Sequence, residues 1–84
     1  MKFYYITFRS VTYAQRGEKT LTSGGIRCTL LRTPRWMEEQ GCGYALKLWS
    51  TDIAAAVKLL RDNRIQLRRA YVQLEDSQME EVIL

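Results

Sequence analysis

Eighty-four residues of 9.9 kDa, 46% of them hydrophobic, make one small globular domain and leave no room for a large enzyme with a deep cleft. The net charge of +4 hides a segregation. All 13 basic residues lie at or before Arg69 beside five acids (13 minus 5, or +8), whereas the last ten residues hold Glu75, Asp76, Glu80 and Glu81 and no base. Two cysteines and no histidine exclude a disulfide framework, a zinc site of Cys and His ligands, and any nucleophile that relies on an imidazole base.

Aromatic and β-branched side chains dominate residues 3–8, which predicts a strand. Ser10 follows as a helix N-cap, because its hydroxyl can accept from a free backbone N–H of the first turn. Ala14, Gly17, Glu18 and Leu21 then recur at helical spacing, until Gly24 and Gly25 end the helix. Residues 26–31 alternate, with Ile26, Cys28 and Leu30 on one face, so a second strand is expected with Cys28 pointing inward. Residues 32–43 hold the only proline, Pro34, and two of the five glycines, and read as a loop. A third strand over residues 44–49 places Tyr44, Leu46 and Leu48 on one face.

Ser50 or Thr51 is the expected cap of a second helix, whose stripe is Ile53, Ala56, Val57 and Leu60 and whose first turn carries Asp52 against the helix dipole. Asn63 ends it, and a fourth strand lies within residues 65–74. The domain is expected over residues 1–74, followed by an acidic tail over 75–84 that either folds back over the basic body or stays solvated, the second being the preferred reading. The longest apolar run covers residues 53–57, far short of the roughly 20 a membrane span needs. The N-terminus has no cleavage pattern of a signal peptide, and the cytoplasm is the expected compartment.

The order βαββαβ most economically builds an α+β fold of ferredoxin-like type: a four-stranded antiparallel sheet with both helices on one face. Right-handed crossovers set the strand order 4-1-3-2. The start of the third strand then lies beside the end of the first. Gly43 and Cys42 are thereby expected to approach Phe8, Arg9 and the helix start at Ser10.

Gly41 and Gly43 flank Cys42 and remove two side chains that would otherwise cover its sulfur. A nearby helix N-terminus, with Arg9, Arg32 or Arg35, would favour the thiolate. With no histidine present, this is the activation route the sequence offers. The plainer alternative is a small, inert residue at a strand entrance. No metal or cofactor is expected.

Residues 4–8 (YYITF), the helical Ala14, Gly17, Glu18 and Leu21, the glycines before Ile26, Thr33-Pro34-Arg35, and residues 41–46 (GCGYAL) together resemble the putative selenium/sulfur carrier protein-like family. The similarity runs over roughly residues 3–74. Its most specific element is a proline loop followed by Cys-Gly and an alternating strand, here Pro34, Cys42 and Gly43. The resemblance implies a carrier rather than an enzyme, with sulfur or selenium held on Cys42 as a persulfide or selenopersulfide. Arg35 and the helix start at Ser10 would stabilise the anion, with Arg9, Pro34, Gly41 and Gly43 around it. The implied partners are sulfur or selenium donor and acceptor proteins.

Two other readings stay open. RNA-recognition domains share the element order, and an open sheet face of Phe3, Tyr5, Arg27, Lys47, Trp49, Arg69 and Tyr71 would mix rings with bases as nucleic acids require. However, Cys42 and Lys47 stand where that family wants aromatics. The same face could instead be covered by a second copy in a homodimer, a non-enzymatic interaction module. Trp36 and Met37 read as loop packing rather than a partner anchor, Glu38 and Glu39 as solvated acids rather than a carboxylate pair, and the closing Glu81-Val82-Ile83-Leu84 as an added strand, a docking segment or a frayed end.

Overall fold

The computed structural model of the chain describes residues 2–33, 43–74 and 78–84. Its elements are β1 (Phe3–Thr7), α1 (Val11–Ser23), β2 (Cys28–Arg32), β3 (Tyr44–Trp49), α2 (Ile53–Asp62), β4 (Arg69–Gln73) and β5 (Met79–Val82). Ser10 caps α1 as expected: its backbone is extended (φ −143°, ψ 160°), and its Oγ accepts the Tyr13 N–H at 3.2 Å. That bond satisfies one of the donors a helix start leaves over. At the other end the left-handed turn is taken by Gly25 (φ 83°), after which the Ile26 N–H returns to the Leu21 carbonyl at 2.9 Å.

The start of α2 differs from expectation. Ser50 and Thr51 lie in a 3-10 turn, and Asp52 stands at the N-cap with no side-chain capping bond. The reason is upstream, because the Ser50 N–H bonds the Lys2 carbonyl at 3.0 Å and keeps the chain tied to the sheet at the residue expected to cap. Asn63 closes the helix, its Nδ2 donating to the Leu59 carbonyl at 2.8 Å. Arg64 then takes left-handed backbone (φ 58°) that brings the Ile65 N–H to the Leu60 carbonyl at 2.8 Å.

The sheet runs β2-β3-β1-β4-β5, with every neighbouring pair antiparallel. Its first four members are the expected order 4-1-3-2 read from the other edge. The four-stranded expectation is corrected by β5, an edge strand formed by residues whose preferred reading is a solvated tail and whose last members also read as an added strand. The Leu74 N–H bonds the Gln78 carbonyl at 2.7 Å to close the turn, and Met79 packs against Tyr5 and Tyr71. Glu81 lies opposite Tyr71, its carboxylate 3.7 Å from the Arg69 guanidinium. Glu80 and Glu81, neighbours that point to opposite faces, are the two exposed residues of this edge strand.

Alternation splits the sheet into two faces. On one, Ile6, Leu46 and Leu48, with Tyr4, Cys28, Leu30 and Tyr44, pack against Ala14 and Leu21 of α1 and Ala56 and Leu60 of α2. Gly17 permits the close approach: a Cβ there would lie 3.1 Å from Phe8 Cζ and 3.3 Å from Leu46 Cδ1. The other face carries Phe3, Tyr5, Leu31, Tyr71 and Met79. It is less open than expected. Tyr5 and Tyr71 are only 8% and 5% exposed, and the Tyr5 hydroxyl donates to Gln73 Oε1 at 3.0 Å. No helix among the described residues is long and apolar enough to cross a membrane.

Candidate functional site

Thr7 pairs with Ala45 in the β1–β3 register, so Arg9 and Ser10, beyond β1, and Gly43, just before β3, belong to the same end of the sheet. Arg9 is exposed and Ser10 half-buried. The first turn of α1 contains no acidic residue, so nothing within the helix offsets the partial positive charge of its free N–H groups.

Gly43 holds left-handed backbone (φ 79°), a conformation that most side chains resist. Its carbonyl accepts the Thr33 N–H at 3.0 Å, next to the Arg32–Tyr44 pair of the β2–β3 ladder. This clamp joins the two ends of residues 34–42. Pro34, Arg35, Gly41 and Cys42 lie outside the described residues, as do Trp36, Met37, Glu38 and Glu39.

Sequence reasoning gave Thr33 no role. It is 7% exposed, and its Oγ1 is buried without a hydrogen-bond partner among the described residues, an arrangement that costs stability. Arg32 sits beside it with its guanidinium 5.3 Å from the Tyr44 ring centroid, a cation held at the clamp by the ring face. The signal for both was weak. Alternation over residues 26–31 ends one residue before β2 does, and only strand pairing reveals that Thr33 meets Gly43.

Cys28 lies where the alternation put it, half-buried against the helix-side core, with Sγ 3.9 Å from the Glu18 carbonyl. Burial pushes its pKa up, opposed by a hydrogen bond with Thr22 and reinforced by the charge of Glu18. Near pH 8.5, where a free thiol is about half ionised, Cys28 should therefore alkylate several-fold more slowly in the folded protein than in the denatured chain. The unfolded thiol ionises first. Stability is accordingly fully present below the ordinary thiol pKa and falls as pH rises through the raised folded value. Peptide mass mapping after timed alkylation, set beside denaturation midpoints across that range, checks both.

Among the described residues no group of three or more His, Cys, Asp or Glu side chains could hold a metal ion. A family model described as "Putative Se/S carrier protein-like" matches residues 3–72, from β1 into β4. No curated protein and no solved structure matches the chain.

Proposed function

The chain belongs to the Putative Se/S carrier protein-like family, and from that premise we propose that it carries sulfur or selenium on the thiol of Cys42. The Cys42 thiolate attacks the terminal sulfur of a donor persulfide. One sulfur–sulfur bond forms at Cys42 as the donor's breaks, the donor leaves as its thiolate, and no net oxidation occurs. Delivery to an acceptor thiol repeats the exchange with the roles reversed. Partners are then a donor protein and an acceptor protein.

The observation that carries this reading is the family match over residues 3–72. Three features support it. Gly43, the neighbour of Cys42, has backbone that favours glycine. Gly43 lies at the same sheet end as the α1 N-terminus, where an anion is favoured and Arg9 can add charge. The second cysteine, Cys28, is half-buried with a raised pKa, a poor competitor for exchange.

Incubation with a low-molecular-weight persulfide, followed by intact-protein mass measurement, tests the proposal. Wild type and Cys28→Ser should gain the mass of one sulfur atom, and Cys42→Ser should gain none. Failure of the wild type to load, or equal loss in both variants, would overturn it.

A further inference from the structure

At the β2 edge, a groove of about 650 Å³ is lined by Phe3, Arg27, Thr29, Leu31, Lys47 and Trp49, among others. Its volume lies in the range of small-molecule sites. Phe3 and Trp49 are cross-strand partners of β1 and β3, with ring centroids 4.2 Å apart and planes tilted by 32°. Lys47 stands two residues before Trp49 on the same face, its Nζ 4.1 Å from the Phe3 ring centroid and 5.9 Å from that of Tyr5.

Among the described residues the charges of this groove have no counter-charge. No acidic residue lines it, and neither Lys47 nor Arg27 forms an ion pair among the described residues. Lys47 is half-buried, and its ammonium is met by two ring faces and, among the described residues, by no counter-charge, so an anion is the ligand charge that suits this groove. The adjoining rings offer stacking area that a bare anion leaves unused. A ligand that satisfies both features joins a planar ring to an anionic group.

We propose that the groove binds a mononucleotide, its base against Trp49 and its phosphate between Lys47 and Arg27. A single nucleotide fits better than a strand, because a run of stacked bases needs the platform to continue across Tyr5 and Tyr71, and both are buried. The proposal stands apart from Cys42.

The test uses the full chain carrying Trp36→Phe, which leaves Trp49 as its one tryptophan. Adenosine monophosphate should quench its fluorescence saturably, while adenosine and inorganic phosphate should each bind at least about tenfold more weakly. Lys47→Gln and Arg27→Gln should each weaken binding by roughly tenfold. Arg27 is exposed, so its variant keeps the fold and keeps the test decisive. Cys42→Ser should bind as the parent does. Absence of saturable quenching, equal affinity for phosphate alone, or a preference for a single-stranded oligonucleotide over the mononucleotide would each overturn the proposal.

Discussion

Phe8→Ala should lower the denaturant midpoint by roughly half or more, the largest stability loss expected of a single truncation in this chain. Phe8 follows β1 directly and is fully shielded within the helix-side core, its ring so close to α1 that a Cβ on Gly17 would lie 3.1 Å from Cζ. Truncating a buried phenylalanine costs about 3–5 kcal/mol, the lost transfer energy plus the cavity left behind. An 84-residue domain sits toward the low end of the usual range of about 5–15 kcal/mol. The cavity cannot be filled cheaply, because Ile6, Leu21 and Leu46, also fully buried, are already committed to their own packing. Urea denaturation followed by circular dichroism measures the shift. A drop of less than a fifth would mean that α1 settles into the vacated space.

What was legible in the sequence was what depends on near neighbours. Ser10 announced a cap because capping is decided within three residues, and the alternation of Leu46 and Leu48 with Lys47 announced which side of β3 meets the helices. What failed depends on partners far away. Glu80 and Glu81 dominate the composition of the tail, and their acidity reads as solvation. In the fold they are the exposed residues of β5, both held by the β4 ladder and Glu81 also by Arg69 across the strand pair. Alternation likewise placed Tyr5 and Tyr71 on the face away from the helices without telling how far Phe3, Leu31 and Met79 cover them. At the candidate site, the glycines beside Cys42 pointed to exposure, but the clamp between Thr33 and Gly43 follows only from the pairing of β2 with β3.

That clamp is where fold and proposed chemistry meet, and Gly43→Val should cost about 1–3 kcal/mol there. A β-branched side chain disfavours the left-handed region strongly, so at φ 79° the valine chain must either hold a strained backbone or rotate out of it. Rotation turns away the carbonyl that accepts the Thr33 N–H. Thr33 is 7% exposed and its hydroxyl already has no partner among the described residues, so the rotated state adds a second unsatisfied group on one buried residue. Both routes are costly, which places the effect toward the upper end of that range. Asparagine tolerates left-handed backbone, so Gly43→Asn should retain most of the stability and most of the rate of persulfide loading. The informative comparison is therefore valine against asparagine, in denaturation midpoint and in loading rate together. If the two variants lose the same stability, side-chain bulk rather than backbone conformation is what the position resists. If Gly43→Val keeps the wild-type loading rate despite its lost stability, the clamp holds the fold without positioning the residue beside it.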